Sequence, residues 1–476
     1  MHKAVDLGKT VHELTEMIVC SRDNRNCMLH ACKNCPGIVP LKKYITDVFK
    51  TQLKDSVTTT SDSDQSEEEI QSLFDDAEIK YSQWTTTDHA DLIQVECSLS
   101  EFIETFCIKM FDLKSHSYIA REQNAYLDQL KENLKSDEAI AILDFSENYS
   151  FVVQYEVQGF HWNNKQCSLH PVSIYYKDGD ASLQKSCCIV SDDLTHDVDH
   201  VHEVVKLTCK NVKALTNNNV KKIHYFSDGC AAQYKCCKNF LNLCNHKAEF
   251  GIDAEWNFFA TSHGKNTCDA IGGIVKRTVH RESLHRPVNS QILTAESLFE
   301  FCCNKLDKIK FEFVTKVDLE NKRSSATTRY ELAKTVPGTR GFHSFCPQND
   351  KHMTLHCKRI SKDESNALVH SFIRKKGRKA KGPDKVDVSS GMYILCQYDK
   401  FLWVGVVETV NKEEGDCEVK FLHPQFPACS YYWPCNDGKC CIPLGKVLSQ
   451  VSLNTPTGRH YMVENAENLK KKFYNV

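Results

Sequence analysis

Three acidic residues stand where an apolar run gives way to a turn or a helix. Asp144 closes AIAILDF (139–145), Asp228 closes KKIHYFSDG (221–229), and Asp269 lies in the first turn of the helix predicted over TCDAIGGIVKRTVHR (267–281). Sheets with helical crossovers place their chemistry at the C-terminal ends of strands. Three carboxylates gathered there could hold two divalent cations roughly 4 Å apart, the arrangement that activates water and steadies the leaving oxygen in phosphodiester cleavage. Hard oxygen donors suit Mg²⁺ or Mn²⁺. Asp269, Gly272, Gly273 and Lys276 recur at i, i+3, i+4 and i+7, on one helix face. Two glycines inside a helix cost stability unless a backbone approaches closely. A nucleic-acid strand across that face, with Lys265, Lys276 and Arg277 on its phosphates, would supply the reason. Each acid alone has a plainer reading as a turn cap, and the glycine pair as packing on a sheet. The coincidence of the three acids with the order of elements around them carries the chemistry.

A second constellation is Cys20, Cys27, Cys32 and Cys35, spaced C-x6-C-x4-C-x2-C with His30 between. Four thiolates suffice for a structural Zn²⁺, and the closing C-x2-C is an ordinary half-site. Cys429, Cys435, Cys440 and Cys441 near His423 include adjacent cysteines, which rarely share one ion, so buried small residues are the better account of that set. Cys230, Cys236, Cys237, Cys244 and His246 read as thiols and a ring along one core helix. In SDDLTHDVDHVHE (191–203), His196 and His200 fall at i, i+4 without HExxH order. A helix N-cap at Ser191 or Asp192 with acids in the first turn explains that segment.

The elements that must position these residues follow from pattern. Residues 100–135 carry apolar side chains at helical spacing with no Gly or Pro, so one or two helices precede the first acid. After AIAILDF come three strand candidates, SFVVQYEV, HPVSIYY and SCCIVSD, then a helix from near Asp192 to Leu215. KKIHYFSDG, AAQYKCCKNFLNLCNHKAEFG, AEWNFFATSHGK and the Asp269 segment continue as strand, helix, strand, helix. That order predicts an α/β layered core.

The chain has 476 residues, 41% hydrophobic and 26% charged, with only 31 Gly and Pro together, which excludes a disordered or fibrous protein. Its formal charge of −2 is a cancellation. Residues 55–78 hold nine acids and no Lys or Arg, whereas RKKGRKAKGPDK (374–385) holds seven Lys or Arg and one acid. Twenty-five cysteines in so long a chain exclude a small disulfide scaffold. No stretch approaches the ~18 apolar residues of a membrane span, and the first 20 residues lack a signal-peptide core, so an intracellular protein with reduced thiols is expected.

The stretches DFSENYS (144–150), FSDGCAAQYK (226–235) and FFATSHGKNTCDAIGGIVKR (258–277) closely resemble a large group of transposon-derived animal proteins. Their central domain is similar to the ribonuclease-H-like catalytic domain of DDE/D transposases and retroviral integrases. The resemblance runs from near residue 10 to about 453. It implies a mixed five-stranded sheet with flanking helices, and makes Asp144, Asp228 and Asp269 the metal-binding catalytic triad. It also implies that Glu147, His263 and Lys265 lie beside the triad or on DNA. The implied reaction is phosphodiester hydrolysis and strand transfer on DNA with two Mg²⁺ or Mn²⁺ ions, in a nuclear (or cytoplasmic) protein that could form homo-oligomers. In such relatives a further Cys/His-rich portion precedes the segment matching residues 1–20, so the chain reads as starting inside the pattern. The alternative is a domesticated or truncated relative that binds DNA or chromatin without cutting.

From residue 390, short aromatic and β-branched runs alternate with turn signals, predicting a small SH3-like or Tudor-like barrel of about five strands. Tyr393, Trp403, Phe421 and Trp433 are either its core or a site for a peptide or cation. Arg374, Lys375, Lys376, Arg378 and Lys379 before it could meet DNA phosphates or direct nuclear import. The expected organisation is a Cys-rich segment with the zinc site (1–45), an acidic linker (46–99), a helical lead-in (100–136), the catalytic core (137–303), a helical or irregular connector (304–373), a basic linker (374–389), the barrel (390–453) and a tail (454–476).

Overall fold

The structure is a computed structural model that describes residues 7–58, 67–86, 90–152, 164–261, 263–264, 266–348, 353–373, 387–398, 401–411, 416–425, 430–433, 439–455 and 461–464. Lys265 and the basic run Arg374, Lys375, Lys376, Arg378 and Lys379 lie outside them, as do Cys429 and Cys435.

The chain opens on helices α1 (Val11–Glu16), α2 (Arg25–Met28), α3 (Val39–Thr58) and α4 (Glu67–Asp75), then a two-stranded hairpin of β1 (Glu78–Thr86) and β2 (Ala90–Ser98). Helix α5 (Leu99–Glu132) follows without a break, as the gap-free pattern predicts, started by a capping box in which Ser98 accepts from the Glu101 amide. Leu14, Ile18, Leu41, Ile45, Phe49, Phe74, Ile103 and Met110 form the core of this module. The expected linker over 46–99 therefore contains α4 and the hairpin. Phe74 gives even the acidic stretch an anchor, being buried in that core.

The central sheet contains β3 (Glu138–Leu143), β4 (Ser146–Ser150), β5 (Gln166–Asp178) and β6 (Ala181–Ser191), followed by α6 (Val198–Leu215), β7 (Lys222–Ser227), α7 (Cys237–Phe250), β8 (Asp253–Phe258) and α8 (Thr267–His285). Its inner order is β8-β7-β3-β5-β6. The β3, β7 and β8 neighbours are parallel and the β3, β5 and β6 neighbours antiparallel. The inner strands are buried on both faces, so their sequences read as apolar runs rather than alternations. Val201, Val204, Phe240 and Leu241 of α6 and α7 cover one face. Ile271, Val275 and Val279 of α8, with Leu127 of α5, cover the other.

The expected connector over 304–373 instead extends this sheet at both edges. After α9 (Ala295–Lys305), β9 (Ile309–Val314) runs parallel to β6. After α10 (Lys316–Tyr330), strands β10 (Ser344–Pro347), β11 (Thr354–Lys358) and β12 (Leu368–Ser371) add antiparallel to β8, with Phe345 fully buried.

The C-terminal region is separate and all antiparallel. Strands β13 (Tyr393–Tyr398), β14 (Phe401–Asn411), β15 (Asp416–Phe421), β16 (His423–Gln425), β17 (Ser430–Tyr432), β18 (Lys439–Pro443), β19 (Val447–Gln450), β20 (Leu453–Asn454) and β21 (Tyr461–Val463) form two sheets, β18-β15-β14-β13-β19 and β16-β17-β21-β20. Among the described residues the larger sheet does not close into the expected barrel, because alternate residues serve two cores. Ile394, Cys396, Val407 and Val419 face one, with Trp403 and Phe421; Leu395, Val404 and Leu422 face the other, with Tyr393 and Trp433. The four aromatics are thereby split between two faces rather than gathered round one ligand.

Candidate functional site

β3 and β7 are adjacent and parallel, with Ile142 opposite Phe226, so Asp144 and Asp228 leave the sheet side by side at its C-terminal edge. Asp228 turns back on itself, its Oδ1 accepting from the Cys230 amide at 3.2 Å, while Trp256 Nε1 holds the preceding Ser227 Oγ at 3.0 Å. The loop after β8 closes over this turn, since a side chain at Gly264 would lie 3.8 Å from the Asp228 Cβ. Asp269 is brought in by its helix. The buried Cys268 thiol donates to the Ile142 carbonyl at 3.3 Å, docking the start of α8 on the end of β3.

Burial and mutual charge bear on the acids. Burial pushes the Asp144 carboxyl up to about 7, and the charges of Asp228 and Asp269 push in the same direction. Asp228 is also raised by burial, against the pull of the Cys230 amide. None of the three forms an ion pair among the described residues, so this edge carries carboxylates without a balancing side-chain cation. A divalent metal held by oxygen fits that donor set. The three are nonetheless not one ion's ligand shell. Among the described residues, only Cys20, Cys27, Cys32 and Cys35 form a group of three or more such side chains whose ligand atoms all lie within 4.8 Å of one another. Asp269 is exposed and spends one oxygen on its own helix, accepting from the Asn266 amide at 2.9 Å in a capping box.

The residues around the triad divide clearly. Glu147 is exposed on β4 and faces Lys276 of α8. His263 lies against His116 of α5, ring centroids 5.0 Å apart, beside the Asp228 turn. Arg277 is exposed, its guanidinium folded over Gly273. Gly272 meets the sheet rather than a nucleic acid: a Cβ there would stand 2.8 Å from Ser146 Oγ and 3.6 Å from Pro171 Cγ, so the glycine lets α8 approach the β4–β5 hairpin.

Behind Asp144 is a buried ring cluster that spacing alone did not single out. Phe145 stacks on His196 at 4.1 Å and meets His170 edge-on at 4.3 Å. Fully buried Tyr234 pairs its hydroxyl with His170 Nε2 at 2.8 Å, while His170 Nδ1 faces the Pro171 carbonyl at 3.2 Å. His196 meets Ser168 Oγ and Asn148 Oδ1. His170, His196 and His200 are all held neutral-leaning by burial. The 191–203 segment is a capped helix start as expected, but the cap is Asp197, which accepts from the His200 amide at 3.0 Å, rather than Ser191 or Asp192, because Ser191 is taken up by β6. The clue available in sequence was Tyr234, an aromatic six residues beyond a strand-end acid.

Two attachments fix α5 to the site. Gln123 is fully buried; its Nε2 donates to the Phe258 carbonyl at 2.9 Å and to Ser361 Oγ at 2.8 Å, and its Oε1 accepts from the Ser361 amide at 2.8 Å. Nearer its N-terminus, α5 carries the cysteine cluster, with buried Lys114 donating to the Cys27 carbonyl at 3.1 Å and Ser115 to the Met28 carbonyl at 2.9 Å. The four cysteines could hold a structural metal such as zinc, and the Lys114 ammonium stands where a thiolate cluster needs an outer positive charge. His30 is no ligand. It sits at positive φ, packs on Phe111 and meets Ser115 Oγ at 2.5 Å. Arg25 then clamps the cysteine loop to Asp363 through two bonds of 2.7 Å. Of the second cysteine set, Cys440 and Cys441 are neighbours on β18 and point to opposite faces.

Among the described residues no helix is long and apolar enough to cross a membrane. Residues 123–361, a little over half of the chain, match the family described as Domain of unknown function (DUF8701). Residues 2–61 and 58–114 match Domain of unknown function (DUF8700). The two families meet inside α5. No curated protein and no solved structure matches the chain.

Proposed function

We propose that this chain, which belongs to the family described as Domain of unknown function (DUF8701), is a transposase-derived protein that cuts and joins DNA at the Asp144, Asp228 and Asp269 edge. The observation that carries the reading is the pair of half-buried, cation-free carboxylates on adjacent parallel strands, with a third acid opening the helix that docks beside them. The sheet order β8-β7-β3-β5-β6, with one antiparallel and one parallel half, is the order a ribonuclease-H-like core has, and supports the same reading.

Asp144 and Asp228 would hold Mg²⁺ or Mn²⁺, with Asp269 completing the set once its carboxylate leaves the helix cap. The ions, when bound, activate water or a DNA 3′-OH and steady the leaving oxygen. The chain's own contribution is position. Phe145 wedged among His170, His196 and Tyr234 holds the Asp144 backbone, the Cys230 amide holds Asp228, and the His263–Gly264 loop limits access from the α5 side. Lys276 and Arg277 stand on the next turns of α8 to receive phosphates. Nuclear location, self-association and recruitment through the C-terminal sheets belong to the same proposal.

The capping of Asp269 favours a second reading, a relative that binds DNA or chromatin without cutting. A nicking assay on labelled duplex DNA with Mg²⁺ or Mn²⁺ separates them. Metal-dependent cleavage by the native chain, lost in Asp228→Ala, is the expected result. No cleavage by the native chain overturns the enzymatic reading and leaves the binding one, and equal cleavage by both overturns the role of Asp228.

A further inference from the structure

Beyond Asp269, two rows of side chains run along α8: Lys276, His280 and Leu284 in one, Arg277, Arg281 and His285 in the other, each at i, i+4, i+8. They border an open groove of about 580 Å³ that Tyr149 of β4 lines as well. Lys276 is seven residues from Asp269, about 10 Å along the helix axis, so the groove continues from the carboxylate edge.

Its lysine and arginines form no close ion pair among the described residues. Arg22, Arg25, Arg121, Arg286, Arg323 and Arg329 each have a carboxylate within 4.0 Å. Among the described residues Lys276, Arg277 and Arg281 have none. The nearby acids are Glu147, which faces Lys276 from β4, and Glu282, which is turned to Arg286 at 3.0 Å. Apolar surface lies between these charges. Leu284 is 42% exposed on α8, the His280 and His285 rings beside it are exposed, and buried Tyr149 forms the floor. A duplex backbone offers a protein phosphate and sugar but no bases to lie on apolar surface. A strand whose bases are unpaired offers both, phosphates to the cations and base faces to the aromatic and aliphatic surface.

We propose that the α8 groove takes an unpaired stretch of the DNA strand that the aspartates engage. The inference rests on the nucleic-acid reading of that edge and adds which form of the strand is held and where. An anionic lipid surface would meet the same cations but offers no base faces to the exposed leucine and histidines between them.

The test is fluorescence anisotropy of the full chain in buffer without Mg²⁺ or Mn²⁺, with a short labelled single-stranded DNA and with the same sequence as duplex. The single strand binds more tightly. Arg277→Ala combined with Arg281→Ala weakens it by about tenfold or more and lowers the slope of log affinity against log salt by about 0.7 for each lost phosphate contact. Arg277→Lys combined with Arg281→Lys retains most of the affinity, and Arg340→Ala, an exposed arginine elsewhere, changes neither quantity. Equal or tighter duplex binding, the same loss in Arg340→Ala, or displacement by phosphatidylserine vesicles as effective as by DNA overturns the inference. Withholding Mg²⁺ and Mn²⁺ excludes cleavage, so the two proposals fail separately. Nicking without single-strand preference sinks only the groove, and single-strand binding without nicking sinks only the reaction.

Discussion

Gly272 sits where α8 crosses the β4–β5 hairpin, and its missing Cβ is what allows Cys268 and Asp269 to reach the end of β3. Gly272→Ala should cost about 1–3 kcal/mol by forcing Ser146 aside, and a Ser146→Ala background should recover part of the loss in a thermal melt. His246 makes a second residue-scale prediction. It is buried, with Nδ1 facing the Ile252 carbonyl at 2.7 Å and Nε2 the Tyr225 hydroxyl at 2.9 Å, and burial holds it down to about 4. The folded chain resists a proton that the unfolded chain accepts below about 6.5. Stability from this group is therefore complete above pH 6.5 and drains away as pH falls toward 4, by on the order of 3 kcal/mol. Denaturant midpoints across that window should fall steeply for the native chain and less steeply for His246→Gln. At this scale much was legible in sequence: a strand-end acid is announced by the apolar run before it. What His30 does was not, because a positive φ and a serine 85 residues away decide it.

The helix α5 joins two things that sequence treats as separate, the cysteine loop and the carboxylate edge. Gln123→Leu should be among the most damaging single changes at a non-ligand position, on the order of 3 kcal/mol, because it strips partners from the buried Phe258 carbonyl and the Ser361 amide and hydroxyl together. The cysteine cluster predicts one zinc per chain by metal analysis, with Cys32→Ser plus Cys35→Ser abolishing it and a chelator lowering the melting temperature of the native chain. Unchanged zinc in the double variant would remove the site. Element types and order from β3 to α8 followed from periodicity, since buried parallel strands are continuous apolar runs, except that β4 lies on Ser146–Ser150 rather than on the expected SFVVQYEV, most of which is outside the described residues. β9 to β12 did not. They are short strands at or next to the two edges of the sheet, half-buried and interrupted by polar residues, and only their partners make them strands.

At the level of the whole molecule, the domain that sequence would cut at residue 303 cannot end there. A fragment of residues 137–303 lacks the strands that cover β6 and β8, and loses Phe345 and Leu355 from the main core. It should express as aggregate, whereas residues 7–373 should give a cooperative melt. Both outcomes can be read by size-exclusion chromatography and calorimetry. The Arg25–Asp363 clamp has one more consequence, and it concerns time rather than architecture. Its partners are 338 residues apart, and Ile360 also belongs to the core of the first helices. At the ~5–20 residues per second of ribosomal synthesis, the N-terminal module waits roughly twenty seconds to a minute for its last partners to emerge. During that interval the cysteine loop lacks its Arg25–Asp363 clamp, so a metal held by the four cysteines would be the first thing to tie the loop together.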